Sequence, residues 1–292
     1  MKSRIGYSNL FVLLVLLLPH AACAAAGGLP ARVDTLEAAV ANLQTTVNNL
    51  NSQLTTANAN IATLQGQVSA WQSNGVLALN NYLTLGTHNG QPTAIFTGVN
   101  VQVVNGTGQT YGSPNGTGNL IVGYDTADLV GNEHCSDGSY PEEQSPCEAA
   151  GKTWASIHKS GSHNLVVGDS NNYSQSGGVV FGQLNTINRD YATVTGGYLN
   201  NASGQYASVS GGWFNRAGGN WASVSGGGSN RASGNTASVS GGGENTASGM
   251  TSSVSGGGGT GPCGNTASGD YSSVLGGCGK TASSFDSYFP GP

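Results

Sequence analysis

The stretch Ala207-Ser208-Val209-Ser210-Gly211-Gly212, followed after two residues by Asn215-Arg216-Ala217-Gly218-Gly219, decides the fold of this chain. It is one copy of a unit, Val-x-Gly-Gly-x-x-Asn-x-Ala-x-Gly, that recurs along the C-terminal part of the sequence. A fixed short period is typical of solenoids, in which each repeat packs only on its neighbours. The valine of the unit returns at every fifteenth position, as Val194, Val209, Val224, Val239 and Val254.

The asparagine of the unit forms a parallel series, and the earlier copies are one residue shorter. Val180 follows Val166 at the fourteenth position, because these copies lack the second glycine of the pair. The period therefore predicts a mainly β repeat solenoid over 119–292, in which each coil has fourteen or fifteen residues. The asparagines of the series are Asn171, Asn185, Asn200, Asn215, Asn230, Asn245 and Asn265.

Alternation within the unit predicts which side chains point inward. In Ser208-Val209-Ser210 the valine faces the core and the serines face outward, while Ala217 and Ala232 face inward from a second strand. Glycines form the corners where φ is positive, and asparagines at matching corners can form a ladder of side-chain amides. Each coil is then two short strands, stacked about 4.8 Å above the previous one. So thin a coil buries little apolar surface, which favours oligomerisation.

An unbroken heptad pattern runs from Val33 to Trp71 and predicts a left-handed coiled coil over 27–74. Most flanking positions carry Asn or Gln, so the apolar core and not ion pairs selects the partner. Valine at position a with leucine at position d favours two strands; one amphipathic helix packed on a globular domain is the alternative. Position a is Val33, Val40, Val47, Leu54, Ile61 and Val68, and position d is Leu36, Leu43, Leu50, Ala57, Leu64 and Trp71.

A segment with period two lies between the heptads and the repeats. Residues 75–118 are predicted to form a β-connector with Gly- and Asn-rich turns. Its predicted strands are Ala94-Ile95-Phe96 and Val99-Asn100-Val101-Gln102-Val103.

Residues 1–26 have the features of a cleavable export signal. Lys2 and Arg4 precede the apolar run Leu10–Leu18, and the small residues of Ala21–Ala26 follow it. This run is too short to span a bilayer as a mature helix. No long apolar segment follows, so we expect an exported protein, extracellular or on the cell surface, without a transmembrane anchor in the mature chain. A lipoprotein, acylated at Cys23, is the alternative.

Removal of the signal with Cys23 leaves an even number of cysteines, which in an exported chain predicts two disulfides. Cys263 and Cys278 occupy the same position of two coils. Stacking would place their Cα atoms about 5 Å apart, within disulfide range. Cys135 and Cys147 are predicted to form the other bond.

Residues 128–159 interrupt two coils and are predicted to form an inserted loop that stands off the solenoid. Zinc is an alternative to the disulfide there, since His and Cys are its ligands, but the spacing is loose. The loop is also acidic, which would suit Ca²⁺, although the spacing matches no known calcium loop. We therefore expect no metal and no cofactor. The residues concerned are His134, Cys135, Cys147, His158 and His163, with the acidic Asp128, Glu133, Asp137, Glu142, Glu143 and Glu148.

Composition narrows the classes of function. Only 8% of residues are charged, and the net charge of −5 is thinly spread, so without a basic patch we do not expect a nucleic-acid partner. The 48 glycines show no Gly-X-Y period, which excludes collagen. The serines are periodic and the histidines lie off the repeat, so no catalytic constellation is visible and we predict that the chain is not an enzyme.

The unit at Ala207–Gly219 resembles the head repeats of trimeric autotransporter adhesins (YadA-like), and the likeness covers roughly 119–283. The resemblance implies a left-handed parallel β-roll, wound once per repeat and assembled as a homotrimer, against the two strands that the heptads favour. Two features depart from the family. Its members end in a membrane-anchor barrel, which nothing here matches, and they place the head before the stalk. The resemblance thus implies a YadA-like head behind an N-terminal coiled coil.

Aromatic residues are scarce, yet they concentrate in the first regular coils, where they are predicted to form outer ladders. Such ladders either stiffen the solenoid or form a platform for a sugar ring or a host or matrix protein. The expected function is that of a trimeric surface adhesin or structural protein; the alternative is an extracellular polysaccharide-binding or ice-binding solenoid. Tyr191, Tyr206 and Trp221 share one coil position, Tyr198 and Trp213 share another, and Phe214 adjoins the second.

Overall fold

The structure is a computed structural model that describes residues 28–75, 79–127, 133–140, 143–259 and 261–291. The chain forms two compact units, Met1–Asn100 and Val101–Pro292, and each is described by itself. The predicted export signal and Cys23 lie outside the described residues. Among the helices in the described ranges, none has both the length and the apolar content needed to cross a membrane.

The predicted long helix is present in the first unit. Helix α1 spans Leu29–Gln72, with Pro30 in its first turn, where its missing N–H removes no helical hydrogen bond. No residue of α1 is buried. The heptad positions are therefore exposed along the whole helix, from Val33 (47%) to Trp71 (64%). The helix is confirmed, whereas its pairing with other chains stays a prediction.

A 3₁₀ turn, Leu79–Asn81, and a β-hairpin follow the helix. Strands β1, Leu83–His88, and β2, Gln91–Phe96, pair antiparallel. Asn89 and Gly90 both have positive φ, as a two-residue hairpin turn of type I′ requires. The hairpin confirms the strand at 94–96. The predicted strand at 99–103 is wrong: this stretch belongs to no strand, and its valines are exposed.

The repeats form a parallel β-solenoid of about eight turns, which confirms the predicted mainly β repeat solenoid. Its handedness and the number of chains that assemble stay predictions. Each regular coil contributes one strand to a 10-stranded sheet and one to an 8-stranded sheet. The larger sheet contains β3 Leu120–Val122, β6 Leu165–Asp169, β8 Val179–Gln183, β10 Thr193–Val194, β12 Ser208–Val209, β14 Ser223–Val224, β16 Ser238–Val239, β18 Ser253–Val254, β20 Ser273–Val274 and β22 Tyr288–Phe289. The smaller sheet contains β7 Asn172–Tyr173, β9 Thr186–Ile187, β11 Asn201–Ala202, β13 Arg216–Ala217, β15 Arg231–Ala232, β17 Thr246–Ala247, β19 Thr266–Ala267 and β21 Thr281–Ala282.

The centre of the core is a column of valines facing a column of mostly alanines. Val209 and Ala217 are both fully buried, and their equivalents in neighbouring coils align in register. In the first coils Tyr173 and Ile187 take the place of alanine and are also buried. The predicted inward valines and alanines are thus confirmed. A further buried column of alanines lies two residues before the valines, at Ala192, Ala207, Ala222 and Ala237. With three small apolar side chains per regular coil, backbone hydrogen bonds between coils carry much of the cohesion.

The asparagine series forms a continuous buried ladder, as predicted. Asn215 shows the pattern: its Nδ2 donates to the carbonyl oxygens of Gly211 and Gly227, at 2.9 Å each. Its Oδ1 accepts the backbone N–H of Asn230 at 3.0 Å. We call this series, Asn171 to Asn265, the Asn ladder. The carboxylate of Asp125 begins it by accepting the backbone N–H of Asn171 at 2.9 Å, so each buried corner N–H finds an acceptor.

One coil carries a five-residue insertion that the valine period alone does not show. Val254 pairs with Val274, whereas the regular period would place its partner five positions earlier in the sequence. The insertion lies between Gly258 and Cys263. Gly258 still pairs with Gly243 of the preceding coil, whereas Cys263 accepts the backbone hydrogen bond from the following coil. The predicted Cys263–Cys278 disulfide joins the end of this insertion to the following coil, with Cα atoms 4.2 Å apart.

Removal of this bond should loosen the last coils. The double variant Cys263→Ser, Cys278→Ser is expected to lose about 2–4 kcal/mol of unfolding free energy, because the bond restricts the unfolded chain. Urea unfolding followed by circular dichroism measures the loss. Peptide mapping of wild-type protein after alkylation without reductant is the check on the bond: free thiols at both positions in protein purified in air would contradict it.

The inserted segment packs against the solenoid, so the prediction that it stands off is wrong. It contains β4 His134–Cys135 paired with β5 Trp154–Ala155, and helix α2 Gln144–Ala149. The backbone N–H of Gly138 donates to the carbonyl oxygen of Asn188 at 2.8 Å. Asn188 Nδ2 donates to the Cys135 carbonyl at 3.0 Å. Backbone groups of both partners need hydrogen bonds, and this contact satisfies them.

Candidate functional site

Three aromatic residues form a stack on one corner of the solenoid. The Tyr191 and Tyr206 rings are parallel within 5°, with centroids 5.1 Å apart. Tyr206 and Trp221 are parallel within 11°, with centroids 5.8 Å apart. We call these three residues the aromatic stack. Tyr206 and Trp221 are 45% and 57% exposed, so the predicted ladder is confirmed and lies at the surface.

The backbone at the stack is unusual. Tyr191, Tyr206 and Trp221 all lie in the left-handed region, with φ of 59°, 59° and 56°. Bulky residues rarely adopt this conformation, which costs of order 1 kcal/mol. Hydrogen bonds between coils hold it here: the Trp221 N–H donates to the Gln205 carbonyl at 2.9 Å. Ring stacking is a second compensation for the strain.

The stack is expected to stabilise the coils as well as to present aromatic surface. Tyr206→Ala removes two ring contacts and should cost about 1–2 kcal/mol of unfolding free energy. Thr236→Ala is the matched control, because Thr236 occupies the same corner with φ 56° but without a ring, and it should cost much less. Chemical denaturation measures both. Equal losses would mean that the corner backbone matters and the stacking does not.

The second aromatic set is arranged differently from the prediction. Tyr198 and Trp213 pair through their backbones, yet their rings do not stack. The Phe214 ring meets each edge-on, at 87° to Tyr198 and 86° to Trp213. Phe214 has positive φ at the corner, which brings its ring to both neighbours. We call these three residues the aromatic cluster; edge-to-face packing is favourable for aromatic pairs.

The aromatic cluster borders a groove that the sequence did not reveal. The groove has a volume of about 370 Å³ and lies on the coils that follow Trp213. Its lining includes Trp213, Gly228, Ser229, Gly243 and Glu244. A run of glycines has no side chains to suggest a site, so only the stacking of coils discloses it. Trp213 is half exposed at its edge.

The candidate metal ligands of the inserted segment have other partners. Cys135 and Cys147 form the predicted disulfide, with Cα atoms 5.8 Å apart, and both are fully buried. The buried His158 donates from Nε2 to the His134 carbonyl at 2.9 Å. His163 accepts the Asn105 N–H at Nε2 and donates from Nδ1 to the Thr110 carbonyl. Within the described ranges, no three His, Cys, Asp or Glu residues are grouped as a metal site would need.

The acidic residues are divided between ion pairs and surface. Asp137 pairs with Arg189 at 3.0 Å and with Lys152 at 3.5 Å. Burial pushes the pKa of Asp137 upward, but hydrogen bonds from Ser139 and Arg189 outweigh it and hold the pKa below its usual value. Asp137 therefore stays ionised at neutral pH and anchors the inserted segment. Asp128 and Glu142 lie outside the described residues.

A second ion pair, with a buried carboxylate, lies at the start of the Asn ladder. Lys159 Nζ lies 2.7 Å from Asp125 Oδ2, and the Asp125 side chain is almost fully buried. Burial, together with the Asp125 carboxylate, raises the pKa of the Tyr173 phenol to about 12. These groups close the first coil and keep it in register with the ladder, which is a structural role.

Comparison with known proteins adds no relative. No protein-family model matches the chain, and no curated protein matches it.

Proposed function

We propose that this chain is an exported, homotrimeric cell-surface protein that presents a YadA-like, left-handed solenoid head for attachment, and that it is not an enzyme. One observation carries the proposal. The large apolar side chains at the heptad positions of α1 are all exposed, from Val33 to Trp71. No residue of this helix is buried. Such a seam is covered when identical helices pair along it as a coiled coil.

The solenoid supplies a second surface for self-association. Outward positions of the first strand, Leu120 and Val122, are 52% and 54% exposed. They align with Leu165 and Val179, and with Val167 and Phe181, in the next two coils. From β10 to β18 the same rows carry Thr and Ser. Apolar rows on an outer sheet face favour contact between chains. The likeness to YadA-like heads supports three chains, not two.

Export and attachment rest on separate observations. Two disulfides are compatible with an extracellular protein. The predicted signal at residues 1–26 supports export. The exposed aromatic stack and aromatic cluster supply the kind of surface that is enriched at binding sites. The solenoid, with the stack at its corner, is the part of the chain that would contact a host protein, a matrix or a polysaccharide.

Three measurements test the proposal. Cell fractionation with impermeant surface labelling should find the mature chain outside the cell, and N-terminal sequencing should find the signal removed. Sedimentation equilibrium should give three times the chain mass. Cells that express the chain should attach to a coated surface better than cells without it. A monomer that stays monomeric at micromolar concentration, or a chain retained inside the cell, would overturn it.

A further inference from the structure

One corner column changes from aromatic residues to glycine along the solenoid. Tyr198 pairs with Trp213, Trp213 with Gly228, and Gly228 with Gly243, each through parallel backbone bridges. These residues are therefore equivalent positions in successive coils, about 4.8 Å apart. The large side chains end at Trp213, and the groove begins there.

Backbone geometry does not require glycine at Gly228 or Gly243. The preceding glycines do need it, since Gly227 and Gly242 have φ of 83° and 84°. Gly228 and Gly243 do not lie in the left-handed region, and the same position accepts tyrosine and tryptophan in earlier coils. Their missing side chains therefore serve something other than the turn.

Each glycine has its own steric role. A Cβ on Gly228 would lie 2.5 Å from Trp213 Cε2, so the indole lies directly over this glycine. A Cβ on Gly243 would lie 3.4 Å from its nearest neighbour, Gly259 Cα, which is an ordinary contact. Gly228 supports the indole, and Gly243 leaves the space beyond it open.

The walls of the open space combine apolar surface with a few acceptors. Trp213 is 52% exposed at one end. Glu244 is exposed, and with Ser229 it offers carboxylate and hydroxyl oxygens. Glu244 is the one charged residue in the lining of the groove as the described residues form it. The volume of about 370 Å³ falls in the range of ligand sites.

We propose that this groove binds an uncharged polysaccharide, with one pyranose ring stacked on Trp213 and its hydroxyls donating to Glu244 and Ser229. A pyranose has an apolar C–H face and a rim of hydroxyl donors, which matches an indole beside a carboxylate. The glycine floor runs along the coils, so the glycan chain lies along the solenoid axis. The inference rests on the proposed attachment function and gives it a ligand class.

Charge distinguishes this ligand from others. The Glu244 carboxylate repels anionic glycans. A cationic group would also suit an indole beside a carboxylate, but its binding would weaken with salt, whereas uncharged sugar binding would not. Titration calorimetry of the full mature chain at low and high salt therefore tests the class. The probes are cellohexaose and fully N-acetylated chitohexaose, with polygalacturonate as the anionic comparison and choline as the cationic one.

We expect at least one of the two hexasaccharides to bind, independently of salt, and polygalacturonate to bind at least about tenfold more weakly. Trp213→Ala removes the platform and Gly243→Leu fills the groove; each should weaken binding about tenfold or more. Gly196→Leu is the matched control, because Gly196 also has ordinary φ and its Cβ would lie 3.9 Å from the nearest atom, outside the groove. It should bind like wild type.

Several outcomes overturn the inference. The inference is wrong if the wild-type protein binds neither hexasaccharide. It is also wrong if Trp213→Ala and Gly243→Leu both bind with wild-type affinity. Binding of choline alone, weakened by salt, would make the groove a cation site. If Gly243→Leu changes the sedimentation mass, a second copy occupies the groove. Cells that express Trp213→Ala and attach normally would leave the attachment function standing without this ligand. A chain that binds a hexasaccharide but is found inside the cell would leave the ligand standing and overturn the attachment function.

Discussion

Replacing Asn215 with alanine is expected to lower the free energy of unfolding by about 3 kcal/mol or more. The variant loses two donated hydrogen bonds, to Gly211 and Gly227, and leaves the buried N–H of Asn230 without its acceptor. Each such loss in a buried site costs about 1–3 kcal/mol. Urea unfolding of wild type and variant at equal chain concentration measures the difference.

Asn235→Ala is the matched control for the Asn ladder. Its side chain accepts a similar hydrogen bond, because the Asn220 backbone N–H donates to Asn235 Oδ1 at 3.2 Å. Asn235 is exposed, however, so water replaces the lost acceptor and the cost should stay below about 0.5 kcal/mol. If both variants lose the same stability, the ladder does not hold the coils together.

The double substitution Leu43→Glu, Leu50→Glu is expected to abolish pairing along α1. Both residues are exposed heptad positions of the isolated chain. In a trimer they would place six carboxylates in the apolar seam, where unpaired buried charge is very costly. The association constant should fall at least about a hundredfold, which corresponds to about 2.8 kcal/mol. The helix should also lose ellipticity, since single helices are marginal in water.

Asn49→Glu, Ser52→Glu is the control for the added charge. These residues lie within two positions of Leu50 in α1 but outside positions a and d. Sedimentation equilibrium and circular dichroism at 222 nm should show wild-type association and helicity. A seam variant that associates and remains helical like this control would contradict the coiled coil.

The inserted segment shows where sequence reasoning failed and why. Its boundaries and its disulfide followed from the interrupted repeat and the cysteine spacing. Its position did not: Gly138 and Cys135 meet Asn188, which belongs to a later coil of the solenoid. Gly138 and Cys135 take part through backbone groups, which every residue type has, so these contacts leave no pattern in the sequence of the segment. The exposed valines at 99–103 misled for a related reason, since alternation without a pairing partner does not form a strand.

For the aromatic residues, too, the sequence predicted one arrangement and missed another. Tyr191, Tyr206 and Trp221 stack as their common period predicts, because parallel in-register coils repeat one position at a constant rise. Tyr198 and Trp213 share a period too, but the Phe214 ring meets both edge-on. Ring orientation depends on neighbours from other coils, which the period alone does not specify.

By itself the sequence determined the long helix, the coil length, the inward valines and alanines, the Asn ladder and both disulfides. These features are local or strictly periodic, so one repeat predicts the next. Only the tertiary structure decided the packing of the inserted segment, the Asp125 start of the ladder and the groove between Trp213 and Gly243. Each of these depends on contacts between distant residues or on the absence of a side chain. A groove is a space, and a space appears only when the surrounding coils are placed.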